Sequence, residues 1–102
     1  YGLISRILAA PGQRDDLLSI LLEGQVPMQG CRSYVIARDA ANADALWVTE
    51  IWDSAESHRL SLSIPEVQQT ITRAGPLIAG FDHRFETEPV AGMRGAGGGG
   101  LA

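Results

Sequence analysis

His58 is the side chain best suited by type to move a proton, since an unperturbed imidazole titrates at about pH 6.5. It stands three residues after Ala55 and four before Leu62. On a helix these residues share one stripe, which the pattern turns inward. Ser61 follows one turn later on the same helix. A Ser–His nucleophile needs an oxyanion motif such as G-x-S-x-G, and none accompanies this pair. Glu50 and Trp52 fall on one face of a strand at period two. If that face lines a pocket, Trp52 stacks on a planar substrate and Glu50 orients His58. The plainer reading makes His58 a core histidine bonded to backbone. It also makes Glu50 a buried carboxylate paired with Arg6, Arg32 or Arg84. Trp52 reads as wall and core at once. Tyr34 and Phe81 add aromatic surface for a substrate, Tyr34 with a phenol. His83 alternates with Phe81 and Phe85 and reads as an interior or interface histidine. Cys31 reads as a small buried apolar side chain. The two histidines and scattered carboxylates have no metal-ligand spacing.

Composition removes other chemistries. The 102-residue chain has a net charge of −4, against the clustered cations that nucleic acid demands. Its eight basic residues are all arginine, which excludes a Schiff-base lysine and a phosphate-loop lysine. No apolar run approaches the roughly 20 residues of a membrane span. One cysteine fits a reducing compartment, and no secretory leader is recognisable, so the cytoplasm is the expected location. The length supports one domain, expected over residues 1–90. Residues 91–102 read as a Gly-rich tail, and Gly97 to Gly100 lacks the flanking strand and helix of a phosphate loop.

The elements that must carry these side chains alternate between two periods. Tyr1 to Ala10 alternates as a strand, with Leu3 and Ile7 on one side and Ile4 and Leu8 on the other. Pro11-Gly12 breaks it. Residues 13 to 26 predict a helix with Asp15 and Asp16 in its first turn and a stripe of Leu17, Leu18, Leu21 and Leu22. Cys31 to Arg38 and Ala45 to Trp52 are the second and third strands, joined by a polar turn. Asp53 or Ser54 caps a short helix through residue 62. Pro65 starts another, with Val67, Ile71 and Ala74 as its apolar face. Gly75-Pro76 and Gly80 are breakers. Phe81 to Val90 is the fourth strand, with Phe81, His83 and Phe85 on one face and Asp82, Arg84, Glu86 and Glu88 on the other.

This order is β-α-β-β-α-β, the ferredoxin-like α+β arrangement of an antiparallel sheet with helices on one face. Strands one and three are apolar on both faces, yet the helices cover only one. A contiguous exposed apolar face is rare in a monomer. The expected remedy is a homodimer packed sheet against sheet, which also supports a small core.

Several stretches together resemble the antibiotic biosynthesis monooxygenase family of dimeric α+β barrels. They are Gly2-Leu3-Ile4 with Pro11-Gly12, Gly30-Cys31-Arg32-Ser33-Tyr34, Leu46 to Asp53, and Pro76 to Phe81. The Glu50-x-Trp52 pair before a helix is the most specific of them. The resemblance implies a cofactor-independent monooxygenase that oxidises a small aromatic, a quinol or polycyclic phenol, with molecular oxygen. His58 and Glu50 are then the catalytic candidates, and Trp52, Ser61, Tyr34 and Phe81 the substrate-binding ones. Relatives carry histidine or tryptophan nine residues after the strand-three tryptophan, where this chain has Ser61. The haem-degrading branch uses Asn, Trp and His at places that fall on Ser5, Ser61 and Ile71, so haem degradation is not expected. The family also holds isomerases and proteins without an assigned reaction. An isomerase and a non-catalytic ligand-binding dimer are therefore the alternatives.

Overall fold

A computed structural model describes residues 1–92. The expected tail falls largely on 93–102, outside the described residues. The elements are β1 (Gly2–Ala9), α1 (Arg14–Glu23), β2 (Cys31–Arg38), β3 (Ala45–Trp52), α2 (Ala55–Ser61), α3 (Pro65–Ala74) and β4 (Ile78–Thr87). A single 3-10 turn over Gly75–Leu77 joins α3 to β4. The four strands form one antiparallel sheet in the order β2-β3-β1-β4, the ferredoxin-like topology.

The register sorts side chains into two faces. Leu3 pairs with Glu50, Ser5 with Val48 and Ile7 with Leu46, so these residues and Trp52 point toward the helices. Leu17 of α1 and Leu46 of β3 are fully buried at the centre of this layer, with Ile7, Val48 and Ala74. Each buried leucine contributes about 1.5–3 kcal/mol. Leu18, Ile20 and Leu21 pack around them, whereas Leu22 turns out to solvent, against the expected stripe.

Three local features set the geometry near the cavity. Helix α1 ends at Glu23 with Gly24 as its C-cap, short of the expected residue 26, and glycine is required there because a Cβ would collide with the Thr70 side chain of α3. Gly30 has φ +83°, and a Cβ on it would meet Asp53 and Ser57. Its carbonyl accepts the Asp53 N–H at 2.9 Å, tying the entry of β2 to the exit of β3. Ser54 then caps α2 by accepting the Ser57 N–H at 3.1 Å. The helix therefore starts directly after Trp52 and folds back over the strand.

The fourth strand departs from the alternation expected of it. It begins at Ile78, with Gly80 inside it, and ends at Thr87 before Pro89. Arg6 pairs with His83 but Ile7 with Phe81, so Asp82 is an extra residue in a bulge. Phe81 consequently joins the helix-facing side, while His83 and Phe85 lie on the outer face. Arg6 also sits on that outer face. It pairs with Asp39 at 3.1 Å and with Asp82, and lies 5.6 Å over the Trp47 ring. Hydrogen bonds from the Ala41 N–H, the Trp47 indole and Arg6 hold the Asp39 carboxyl well below the usual carboxylate range, and bonds from Arg6 and His83 do the same for Asp82. The outer face thus mixes this charged cluster with Ile4, Leu8, Ile51 and Phe85, the last 51% exposed.

Candidate functional site

Between the helices and the sheet lies a cavity of about 790 Å³. Its floor is the helix-facing side of β1 and β3, including Leu3, Ser5, Glu50 and Trp52. Its walls come from α2, α3 and the segment after α1. All six residues expected at a site line it: His58, Glu50, Trp52, Ser61, Tyr34 and Phe81. So do Ser5 and Ile71, the other two places compared with the haem-degrading branch.

Three of the six form a connected chain. Trp52 is 2% exposed, and its indole Nε1–H donates to Glu50 Oε1 at 3.1 Å. The same carboxylate oxygen lies 3.8 Å from His58 Nε2. That separation is beyond a direct hydrogen bond but within ion-pair reach. The imidazole is held between two rings, Trp52 edge-on at 5.5 Å and Tyr1 at 5.7 Å. Glu50 is 8% exposed. Burial pushes its carboxyl above the ordinary glutamate value, against the opposing pull of Trp52, His58 and Arg84. The carboxylate therefore meets His58 and Trp52, and of the three arginines considered only Arg84 faces it. Arg6 is on the other side of the sheet.

The inward stripe of α2 also differs from expectation. Ala55 is exposed, and the helix presents Ser57, His58 and Ser61 instead. Ser61 is buried, and its hydroxyl donates to the His58 carbonyl at 2.6 Å. It braces the turn that carries the imidazole. Tyr34 is 36% exposed at the β2 side, where burial and the Glu50 and Cys31 charges push its phenol up to about 12. It stays a hydrogen-bond donor at neutral pH. Phe81, 61% exposed, sits at the cavity rim. Burial also pushes the Cys31 thiol up, which disfavours a nucleophilic thiolate. The sequence pattern does not mark Tyr1 as a site residue, and it offers Arg84 only as a partner for Glu50. Tyr1 is held beside His58 by backbone bonds to Trp52, its carbonyl accepting the Trp52 N–H at 2.8 Å. Among the described residues no three His, Cys, Asp or Glu side chains gather as metal ligands.

Glu50 carries a testable stability cost. The unfolded chain releases its proton at about pH 4.3, and the folded chain at a higher pH. Stability therefore falls as pH rises through that interval and stays lower above it. Glu50→Gln keeps an oxygen for the Trp52 bond and removes the buried charge. Its melting temperature should exceed that of the parent near neutral pH, and the gap should close by about pH 4. Thermal unfolding followed by circular dichroism measures both; a gap that widens toward acid would contradict the burial argument.

Comparison with known proteins agrees with this architecture. The family model described as antibiotic biosynthesis monooxygenase matches residues 1–73. A solved structure from Chloroflexus aurantiacus J-10-fl that carries the same family name is 54% identical with a TM-score of 0.86. The alignment covers 90% of this chain and 94% of that one. PA3566 from Pseudomonas aeruginosa is 19% identical, with a TM-score of 0.77 over 88% of this chain and 93% of that one. Rv0793 from Mycobacterium tuberculosis is 21% identical, with a TM-score of 0.75 over 89% and 97%. These last two share the fold. No curated protein matches the sequence.

Proposed function

The chain belongs to the antibiotic biosynthesis monooxygenase family, and from that membership we propose that it oxidises a small aromatic, a quinol or polycyclic phenol, with molecular oxygen and no cofactor. The observation that supports this reading best is the Trp52–Glu50–His58 chain on the floor of a largely apolar cavity. The reaction is phenol plus oxygen giving quinone plus water. His58 Nε2 takes the phenol proton, and the Glu50 carboxylate stabilises the imidazolium that forms. The phenolate is electron-rich and passes one electron to oxygen. The radical pair joins through a new carbon–oxygen bond at the ring. The resulting peroxide loses water as its O–O bond breaks and the ring C–H proton departs, leaving a carbonyl. Both electron pairs come from the substrate. A bound ring displaces water from the apolar lining, with Trp52 and Phe81 against it.

The reading includes a homodimer through the outer sheet face, where Ile4, Ile51 and Phe85 lie together, and a reducing cytoplasm, which suits a lone cysteine. Light scattering at micromolar concentration should report twice the chain mass; a stable monomer contradicts the dimer. The function is tested with a panel of hydroquinones and naphthols, following dissolved oxygen and product mass. Oxygen uptake with one added oxygen in the product supports the monooxygenase. Binding without uptake points to a ligand-binding module, and a product of unchanged mass to an isomerase.

A further inference from the structure

Arg84 is the one arginine among the described residues that lines the cavity. Strand β4 sets it opposite Ser5 on the helix-facing side, and it is exposed, so it stands at the open edge of the floor. It makes no ion pair with any described residue, and its charge is felt at Glu50 and Tyr1. The bulge at Asp82 brings the Phe81 ring to the same side of β4 as this guanidinium. Glu50 and Arg84 are two strands apart and offset by two residues, so their Cα atoms are separated by roughly 12 Å. The cavity therefore has a proton-accepting region at His58 and Glu50 and a cation at its open edge, Arg84, with Leu3 and Ser5 of β1 between them and Glu86 next to Arg84 on the same face of β4.

We propose that Arg84 is an anion anchor in the cavity, and that the aromatic substrate carries a carboxylate on the side of the ring opposite its reacting hydroxyl. This rests on the aromatic-substrate reading above. A guanidinium binds a carboxylate through two parallel hydrogen bonds, which fixes direction as well as position. The Glu50 carboxylate repels the same group from the far end. A bicyclic hydroxy acid therefore enters one way round, with its hydroxyl toward His58. A neutral phenol of equal size gains neither constraint.

Isothermal titration calorimetry with a matched pair of ligands tests this on the intact protein. One ligand is a hydroxynaphthoate with hydroxyl and carboxylate at opposite ends of the ring pair; the other is its methyl ester. The acid should bind about tenfold or more tightly than the ester. Arg84→Gln should remove that preference by weakening the acid alone, and Arg84→Lys should restore part of it. Added salt should weaken the acid and spare the ester. Equal affinities for acid and ester overturn the anchor while leaving the aromatic pocket standing. An Arg84→Gln variant that loses both ligands equally also overturns it. Binding of neither ligand overturns the anchor together with the aromatic-substrate reading.

Discussion

His58→Ala should lose about 10²- to 10⁴-fold in turnover, the usual contribution of a positioned acid–base, and should fold as the parent does. The expectation of normal folding has a structural reason. Ser61 braces the helix through the His58 backbone carbonyl, which the substitution leaves in place. Helix α2 is also capped independently at Ser54. What disappears is the only imidazole lining the cavity among the described residues, together with the group that Glu50 faces at 3.8 Å. The loss should be in kcat more than in KM, because on the proposed reading the aromatic ring rests on Trp52 and Phe81 and not on the imidazole. It should shrink as pH rises and the phenol ionises without help. Steady-state oxygen uptake across pH measures this. Turnover unchanged at neutral pH would remove His58 from the mechanism.

Trp52 separates two roles that one residue fills. Trp52→Ala should cost about 3–5 kcal/mol in denaturant unfolding, the range for emptying a buried aromatic site. Against a typical total of about 5–15 kcal/mol, that leaves a small domain marginal. The indole is 2% exposed. Trp52→Phe keeps most of the volume but removes the Nε1–H donor. Glu50 Oε1 then loses its 3.1 Å partner while still buried. That variant should stay folded and lose turnover, with KM moving less than kcat, because the carboxylate is no longer held toward His58. If Trp52→Phe unfolds as readily as Trp52→Ala, the hydrogen bond matters to stability. If it retains full turnover, the carboxylate needs no such positioning.

The sequence was legible where its signals are local. Strands β2 and β3 start and stop at the expected residues because Gly30, the polar turn from Asp39 and the Ser54 cap bound them. The topology followed from element order, and Glu50, Trp52, His58 and Ser61 were already visible as candidates. Four things were not legible. The bulge at Asp82 leaves no mark in a pattern that alternates on either side of it, so Phe81 was assigned to the face of His83. Helix α1 stops at its Gly24 cap although the expected helix continues to residue 26, and the Thr70 contact that requires glycine there lies far along the chain. Which of the two readings of Glu50 holds, His58 or an arginine as its partner, has no local signal, since only the return of α2 over β3 brings His58 within 3.8 Å of it. Arg84, followed by Glu86 and Glu88, has the appearance of a solvated strand face; it is exposed, and pairing with Ser5 is what places it at the cavity edge.

The measurement that bears most directly on the mechanism is isotope transfer from oxygen gas. Protein stripped of metals with a chelator is given a quinol or naphthol that supports oxygen uptake, under an atmosphere of the heavy oxygen isotope. One labelled atom should appear in each product molecule for each oxygen consumed, the other leaving as water, and His58→Ala should suppress both together. Product oxygen drawn from solvent, or uptake that vanishes with the metal, would contradict oxidation by the substrate's own electrons.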